Sequence, residues 1–475
     1  MKTKHIIIAA CLFLLSTSGF SQTAKFAGSW YGTLNVGVDL RIVFHITQEE
    51  NGTVKATADS PDQSASGLKC DTIIISNDAV TIEMKKMGAS FTGKLTNDSV
   101  STGKFMQKIE IPLTLIKKKD PTSLIRKRPQ TPQPPFSYKS EDIAYTNKDG
   151  NISFGATITI PEGKGPFPAV VLVSGSGPQN RNGEMLGHQF FAVLGDHLTK
   201  NGFVVLRYDE RGVGKTTGSF SEATTADFAD DASAGVDYLL SRTEVNKKKV
   251  GLIGHSEGGV VVPMVATARK DIDFLVLLAA PGTKILDMMA EQNEAIVIKN
   301  GVSQESAKEF GLLYRKVISS IISAPDNTIA MQSTIQLIEN WATQKSKKLL
   351  TELNLASTKS RFDYIDVITK QARTRWFKYF LSINPVSYLQ KLKCKVLALN
   401  GDKDIQVISK ANLTGISDAL KKSKSKKYEV RELPGLNHLF QHCTSCTVNE
   451  YNEIEETFSP EALLLISNWL KKNIQ

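Results

Sequence analysis

The amino-acid sequence predicts an α/β protein, built on a mainly parallel sheet with helices on both faces and preceded by a small all-β domain. Three observations predict this fold class. Continuous apolar runs recur between residues 168 and 401, as expected for strands buried on both faces of a parallel sheet. Segments with helical spacing separate these runs. Before residue 118, by contrast, short segments alternate apolar and polar residues with a period of two.

The N-terminal β-rich domain is predicted to cover residues 22–118, as a small antiparallel barrel or sandwich. Segments such as "VDLRIVFHI" (38–46) and "AVTIEMK" (79–85) show the alternation of half-buried strands. Trp30 is predicted to fill the core of this domain rather than to line a ligand cavity. A proline-rich stretch then interrupts the pattern, and residues 119–137 are predicted to be an extended linker.

The amino terminus is typical of a secretory signal peptide. Lys2 and Lys4 precede the apolar segment "IIIAACLFLL" (6–15), and small and polar residues follow it. We predict cleavage after Ser21. The apolar segment is too short to span a bilayer comfortably, so no integral membrane segment is expected after signal removal. Most of that segment lies at or beyond Cys11, which argues against a lipid attachment there. The protein is therefore predicted to be exported, to the periplasm or the extracellular space.

The amino-acid composition argues against nucleic acid as a partner. The chain has 58 Lys and Arg against 48 Asp and Glu, a net charge of +10. These basic residues are scattered and lack interleaved aromatic side chains, so a solvated surface is favoured over a nucleic-acid site.

Four cysteines remain after signal removal: Cys70, Cys394, Cys443 and Cys446. The pattern Cys443-x-x-Cys446 indicates a local disulfide in an exported chain, with a redox motif or half of a metal site as alternatives. Because no second C-x-x-C and no cluster of histidines accompanies this pair, neither a metal nor a cofactor is predicted.

The α/β domain is predicted to cover residues 138–475. Its apolar strand runs are interrupted between about residues 284 and 391, where the sequence is mostly amphipathic helix. An insertion between two sheet strands predicts a helical cap over the carboxyl edge of the sheet, which is where ligands bind in such folds.

The chemistry centres on the motif Gly254-His255-Ser256-Glu257-Gly258, which is G-x-S-x-G with a strand-like run before it and an apolar helix after it. The turn is so tight that side chains at the two glycine positions would clash with neighbouring backbone. The turn holds the serine hydroxyl above the sheet, and the positive end of the following helix faces the same point. Ser256 is therefore the candidate nucleophile.

A serine hydroxyl needs a general base, and the base needs an orienting acid. In hydrolases with this strand–turn–helix motif, the acid and the histidine follow the serine in chain order. Two histidines do so, and His438, in the loop-like "GLNHLFQH" after a strand-like run, is favoured over His442. Of the two aspartates that follow "VLALNG", Asp404 is favoured as the acid, and Asp402 is predicted to cap local N–H groups in the turn.

The tetrahedral intermediate of acyl transfer needs N–H donors. One is predicted to be the amide of Glu257, the residue after the nucleophile. The other is predicted to come from the glycine-rich turn "LVSGSGPQNRNG" (172–183), where Ser176 is the preferred donor.

Five ordered blocks now carry a resemblance: "VLVSGSGPQNRNG", "VLRYDERGVGKTTG", "LIGHSEGG", "VLALNGDKDIQV" and "LPGLNHLFQH". They resemble the successive blocks of bacterial α/β-hydrolase serine carboxylesterases, a group related to dienelactone hydrolases. The resemblance spans residues 138–475 and implies the α/β-hydrolase fold, a triad of Ser256, Asp404 and His438, short-chain ester substrates and no metal. Dienelactone hydrolases have cysteine where this chain has Ser256, so their particular reaction is not expected.

Three alternatives stay open or are set aside. The segment "DERGVGKTTG" (209–218) partly matches a phosphate-binding loop, but Asp209 stands where the first glycine is required, and an NTPase is not predicted. A serine peptidase of the same fold and a non-catalytic binder remain as rivals.

Trp376, Phe377 and Phe380 are predicted either to line an acyl pocket or to form a buried contact between cap and sheet. The natural substrate, the role of the β-rich domain and any homo-oligomer are left open.

Overall fold

The computed structural model describes residues 25–35, 39–49, 51–61, 65–107, 109–118, 127–425 and 427–474. The predicted signal peptide, with Cys11, and part of the predicted linker lie outside these residues. The chain divides into two compact units. The first contains the described residues through Lys127, with Met185–Gly187 and Tyr451–Glu453, and the second contains the rest. In the described part of the chain, every helix is either too short or too polar to cross a bilayer.

The first unit is built on one nine-stranded antiparallel sheet, in the order β4-β3-β2-β1-β9-β8-β7-β6-β5. Strands β3 and β5, near opposite ends of this order, also contact each other, so the sheet curves toward a barrel rather than forming a sandwich. Trp30, Phe44 and Phe91 are fully buried in its core. The nine strands are β1 (Gly28–Asn35), β2 (Asp39–Gln48), β3 (Val54–Ser60), β4 (Ala65–Lys69), β5 (Thr72–Ser76), β6 (Ala79–Met84), β7 (Ala89–Asn97), β8 (Val100–Gln107) and β9 (Ile109–Lys118).

The second unit is built on an eight-stranded sheet, in the order β10-β11-β15-β12-β16-β17-β18-β19. Strand β11 runs antiparallel to both of its neighbours, and the remaining strands pair in parallel. The sheet strands are β10 (Lys139–Thr146), β11 (Ser153–Ile160), β12 (Phe167–Val173), β15 (Val204–Tyr208), β16 (Val245–His255), β17 (Phe274–Leu278), β18 (Lys395–Gly401) and β19 (Tyr428–Leu433). Two short strands, β13 (Glu184–Met185) and β14 (His188–Gln189), lie outside this sheet.

Helices cover both faces of this sheet, which explains the continuous apolar runs of its strands. In β12, Val171 packs in one core with α2 (Thr225–Ser241), α3 (Gly258–Ala268) and α11 (Ser409–Lys421). Val170 packs in a second core with α1 (Phe190–Lys200) and α12 (Pro460–Asn473). Successive side chains of a strand point to opposite faces, so a strand buried on both faces must be apolar throughout.

Seven helices are inserted between β17 and β18, in agreement with the predicted cap. They are α4 (Ile285–Lys299), α5 (Gln304–Ser323), α6 (Asn327–Thr343), α7 (Lys347–Glu352), α8 (Thr358–Ala372), α9 (Arg375–Ser382) and α10 (Val386–Leu389). Five of them begin after a side chain that accepts an N–H of the first turn, a strong helix-starting signal: Ser303, Asp326, Ser346, Ser357 and Thr374. The cap has a hydrophobic core, which also includes Val260 of α3 and Val407 after β18. The predicted fold class is therefore confirmed.

Candidate active site

Ser256 lies on a sharp turn between strand β16 and helix α3. Its φ of 54° is in the left-handed region, which is costly for a residue with a side chain. A Cβ atom at Gly254 would lie 2.1 Å from the carbonyl oxygen of Gly258, and one at Gly258 would lie 2.3 Å from that of Val173. Both positions therefore require glycine, as the motif predicted from its tight turn. Close packing of the backbone holds this turn, the elbow, in its conformation.

His438 and Asp404, 34 residues apart in the chain, form a buried hydrogen-bonded pair. The Nδ1–H of His438 donates to Oδ2 of Asp404 at 2.7 Å. The other carboxylate oxygen accepts the amide N–H groups of Gln406 and Val407 at 2.7 and 2.9 Å. The two side chains are only 6% and 0% exposed. In the neutral ring this bond leaves Nε2 as the acceptor, which is the tautomer that a general base needs.

Asp404 lies in the loop after β18, the acid loop, and His438 lies in the loop after β19, the histidine loop. These two loops approach each other closely. A Cβ at Gly401, the last residue of β18, would lie 2.0 Å from the carbonyl oxygen of Leu436 in the histidine loop. Asp402 accepts the amide N–H of Gly435 at 2.6 Å. The expectation that Asp402 caps local N–H groups is thus wrong, because this partner is 33 residues away. Asp402 ties the acid loop to the histidine loop, while Asp404 orients the imidazole.

His255, the residue before Ser256, connects the elbow to His438. Its Nε2–H donates to the carbonyl oxygen of His438 at 2.9 Å, and the two rings are 4.8 Å apart. Burial, with the neighbouring His438, lowers the pKa of His255 to about 3, so its ring is neutral and can donate through Nε2. Among the described residues, no hydrogen bond joins Ser256 to His438. Such contacts are often long in the unliganded state and tighten only with substrate.

His442, the alternative base, has a different environment. Its side chain is 54% exposed and its Nδ1 pairs with the carboxylate of Glu456 at 3.0 Å. It therefore lacks the buried acid partner that His438 has.

The turn after β12 lies against the elbow. A Cβ at Gly175 would be 2.9 Å from the Cβ of Ser256. Within the part of the chain that the structure describes, the amide N–H groups of Ser176 and Glu257 have no hydrogen-bond acceptor. The hydroxyl of Ser176 donates to the Glu257 carboxylate at 2.7 Å, which links the two predicted oxyanion donors. Two N–H groups without an acceptor are available to an oxyanion.

Two buried carboxylates support this turn, a role that the sequence did not predict for either side chain. Glu257 is 2% exposed and accepts three donors, and burial raises its pKa. Glu210 accepts the Ser174 hydroxyl at 2.7 Å and the Gln179 amide at 3.0 Å. Burial raises the pKa of Glu210 to about 8. The available signal was a glutamate in each of two otherwise recognisable motifs, "GHSEGG" and "RYDERG".

The segment that partly matches a phosphate loop is an ion-paired turn. Asp209 is buried and accepts the Arg181 side chain at 2.7 Å and the Lys215 amide at 3.0 Å. Arg211 binds Asp231 through two bonds of 2.6 and 2.7 Å. The turn after β15 is therefore held by these pairs, and a carboxylate occupies the space that a phosphate would need.

The three aromatic residues singled out in the cap have different environments. Phe377 and Phe380 are buried in the core of the cap, at 1% and 3% exposure. Trp376 is partly buried and its indole N–H donates to Glu257 at 2.9 Å. It is therefore Trp376 that joins the cap to the elbow.

In the first unit, a serine, a histidine and an aspartate form a continuous hydrogen-bonded set. The Ser29 hydroxyl is 2.8 Å from Nδ1 of His45, and Nε2 of His45 is 2.9 Å from Asp59. Ser29 lies in β1, which pairs with β2 on one side and β9 on the other. Backbone N–H groups of a strand paired on both sides are used by the sheet, so the described part of β1 offers this serine no oxyanion donor.

The cysteines are structural or unreactive. Cys443 and Cys446 form a disulfide. Glu450 lies beside them, but bonded sulfurs are not thiolate ligands, so this group does not form a metal site. Burial raises the pKa of Cys70 to about 11 and that of Cys394 to about 12, which keeps both thiols protonated.

Comparison with known proteins identifies a family and several relatives. The family described as "Serine aminopeptidase, S33" matches residues 183–442, more than half of the chain. Esterase EstD of Thermotoga maritima is 32% identical over 158 residues, which cover 33% of this chain and 36% of EstD. The uncharacterized protein YfhR of Escherichia coli K12 is 28% identical over 125 residues, 26% of this chain and 41% of YfhR. The chain thus spans well under two thirds of the length of these relatives.

Two solved structures are also similar. The hypothetical protein PA2218 of Pseudomonas aeruginosa has a TM-score of 0.44 at 14% identity, covering 74% of this chain and 98% of that one. The Pyrococcus furiosus esterase Pf2001 has a TM-score of 0.44 at 16% identity, with the same coverage of both chains. The extent of the family match is what decides the assignment: the chain belongs to the serine aminopeptidase S33 family of α/β hydrolases.

Proposed function

We propose that the protein is a serine carboxylesterase that cleaves small carboxylic esters through an acyl-enzyme on Ser256. The observation that carries the proposal is the buried pair of His438 and Asp404, attached through His255 to the residue next to Ser256. An imidazole held by a buried carboxylate beside a strained serine turn is suited to deprotonate that serine.

The reaction follows from these positions. Nε2 of His438 takes the proton of the Ser256 hydroxyl as its oxygen attacks the ester carbonyl. Asp404 stabilises the imidazolium, and the amide N–H groups of Ser176 and Glu257 receive the oxyanion. The C–O bond to the alcohol then breaks, and the leaving oxygen takes the proton from His438. Water, activated in the same way, attacks the acyl-enzyme and releases the acid and free Ser256.

A serine aminopeptidase is the alternative, because the family includes such enzymes by name. It would need a carboxylate for the amino group of its substrate. Glu257 is not available, since three donors already occupy its carboxylate. Glu291 in cap helix α4 has a buried oxygen with no hydrogen-bond partner within the described residues, and burial raises its pKa. The alternative would assign the amino group to Glu291.

The two functions are separated by rates on matched substrates. Wild type, Ser256→Ala and Glu291→Gln would be assayed on p-nitrophenyl acetate, butyrate and octanoate and on aminoacyl p-nitroanilides. We expect ester hydrolysis that requires Ser256 and is largest for the shorter acyl chains, with Glu291→Gln unchanged. Faster anilide hydrolysis that is lost in Glu291→Gln would establish the peptidase instead. No hydrolysis of either class by wild type would contradict the proposal.

We also propose that the protein is exported. The charged and apolar amino terminus supports this, as does the disulfide of Cys443 and Cys446, because such bonds persist in oxidising compartments. Mass spectrometry of the protein purified from an expressing cell would test it. A chain that begins at Gln22 in an extracytoplasmic fraction is expected, and an uncleaved cytoplasmic chain would contradict export.

A further inference from the structure

The carboxylate of Glu257 joins three separate elements of the second unit. Oε2 accepts the Ser176 hydroxyl at 2.7 Å, from the turn after β12. Oε1 accepts the Thr225 hydroxyl at 2.7 Å, from the first turn of α2. The indole N–H of Trp376, in cap helix α9, is 2.9 Å from Oε1 and 3.2 Å from Oε2. The Glu257 side chain therefore contacts the turn after β12, which we call the oxyanion turn, as well as helix α2 and the cap.

Among the described residues, no lysine or arginine pairs with this carboxylate. It is only 2% exposed, and its partners are two hydroxyls and an indole. Burying a carboxylate is costly unless hydrogen bonds replace its water, so loss of any one donor leaves the group under-solvated. The position of Glu257 is therefore sensitive to each of its three partners.

The same residue lies at the centre of the proposed oxyanion hole. Its own amide is one donor, and its side chain holds Ser176, whose amide is the other. A second buried carboxylate, Glu210, holds the opposite side of this turn through Ser174 and Gln179. Because catalysis by an oxyanion hole depends on donors held in place before reaction, the distance between the two amides depends on Glu257.

The cap end of the network is packed against the core of the cap. The ring of Trp376 stacks on that of Phe380 at 5.5 Å with an interplanar angle of 11°. Phe380 is itself buried in the core of the cap. A displacement of helix α9 would therefore move the indole N–H away from Glu257.

We propose that the side chain of Glu257 is a positioning residue that couples the placement of cap helix α9, through Trp376, to the geometry of the oxyanion turn at Ser176. The inference rests on the proposed esterase function. In this arrangement the oxyanion hole is complete only when the cap is in place, so the position of the cap affects the chemical step itself.

Two conservative variants test the coupling. Trp376→Phe removes the indole N–H but keeps a ring for stacking on Phe380, and Ser176→Ala removes the hydroxyl but keeps the amide. With p-nitrophenyl acetate we expect each variant to lower kcat about tenfold with KM within about twofold, because donors misplaced by a fraction of an ångström weaken transition-state binding. Trp341→Phe, in cap helix α6, is the matched control and should leave kcat unchanged.

The double variant separates coupling from simple destabilisation. In Ser176→Ala the carboxylate no longer holds the turn, so adding Trp376→Phe should cost little further kcat. Two independent structural defects would instead multiply. Glu257→Gln should lower kcat at least as much as either single variant. If that protein does not fold, the Ser176 and Trp376 cycle still decides the question.

These experiments distinguish failure of the proposed coupling from failure of the proposed esterase function. No ester hydrolysis by wild type would remove the esterase proposal. Wild-type hydrolysis that requires Ser256, together with unchanged kcat in Trp376→Phe and Ser176→Ala, would overturn the coupling alone. Fully multiplicative losses in the double variant would overturn it as well.

Discussion

Two regions of this protein each contain a serine, a histidine and an aspartate of interest, and the two sets differ in their hydrogen bonds, their burial and the backbone conformation of the serine. In the first unit Ser29, His45 and Asp59 form a continuous chain of hydrogen bonds at 2.8 and 2.9 Å. In the second unit His438 and Asp404 are bonded at 2.7 Å, and Ser256 is connected to them through its neighbour His255.

Judged by hydrogen bonds alone, the first set is the more complete, yet its surroundings are unsuited to acyl transfer. Its histidine and aspartate side chains are 30% and 27% exposed, whereas His438 and Asp404 are 6% and 0% exposed. Its serine lies in a regular strand, whereas Ser256 has a φ of 54° on a turn flanked by free amides. The comparison teaches that the two sets differ in backbone conformation and burial rather than in their three residue types.

The largest effect is expected when Ser256 is replaced, and Ser29 supplies the comparison. Ser256→Ala should lower kcat/KM for p-nitrophenyl acetate by at least about 10³-fold, because no nucleophile remains. Ser29→Ala, the matched control, should leave the rate unchanged, since that strand has no oxyanion donors. Steady-state hydrolysis measures both. If Ser29→Ala abolished activity while Ser256→Ala kept it, the comparison would be reversed.

The next largest effect is expected when Asp404 is replaced, and Asp59 supplies the comparison. Asp404→Asn should lower kcat by about 10²- to 10⁴-fold, because the amide cannot stabilise the imidazolium and favours the wrong tautomer of His438. Asp59→Asn should have no effect on kcat. The measurement is kcat against pH for both variants. Equal losses in the two would mean that the β-rich unit takes part in the reaction.

The link between elbow and base should give a smaller effect. His255→Phe keeps ring packing against Phe190, whose ring is 4.8 Å away, but loses the bond to the His438 carbonyl. We expect kcat to fall about tenfold through misplacement of the base. His255→Gln retains an N–H donor and should recover part of the loss. A wild-type kcat in His255→Phe would show that the histidine loop needs no such support.

The smallest effect concerns stability and pH. Burial raises the pKa of Glu210 to about 8, so between its unfolded value near 4.5 and pH 8 the folded protein holds a proton that the unfolded chain has lost. Stability contributed by this group is present at low pH and is lost as pH rises through 8. From pH 5 to pH 8 the free energy of unfolding of wild type should fall by at most about 3.5 kcal/mol more than that of Glu210→Gln.

Denaturant unfolding of the two proteins at both pH values measures this difference. Asp59→Asn, at a half-buried aspartate of the β-rich unit, supplies the control. Parallel pH dependence in wild type and Glu210→Gln would show that Glu210 is ionised in the folded state.

Several features of the site were predictable because each depends on residues that are neighbours in the chain. The elbow follows from a strand, two glycines and a helix within a few residues. The candidate acid and base follow from chain order and from their place after strand-like runs. The cap follows from the long interruption in strand pattern. In each case the physical constraint is local, so the pattern of residue types reveals it.

Other features depended on contacts that no local pattern encodes. Trp376 and Glu257 are 119 residues apart, and nothing near either residue indicates the other. The partner of Asp402 was predicted to be local and is a distant amide. The Ser29 chain arises from cross-strand pairing, in which Ser29 lies opposite His45.

The sequence by itself therefore determined the fold class, the strained serine turn and the candidate triad residues, because apolar periodicity, glycine spacing and chain order act over short distances. Only the tertiary structure decided which buried carboxylates support the oxyanion turn, how the cap is joined to them and which of two serine–histidine–aspartate sets has a suitable environment. Burial and hydrogen-bond partners are properties of side chains brought together from distant parts of the chain, and folding alone establishes them.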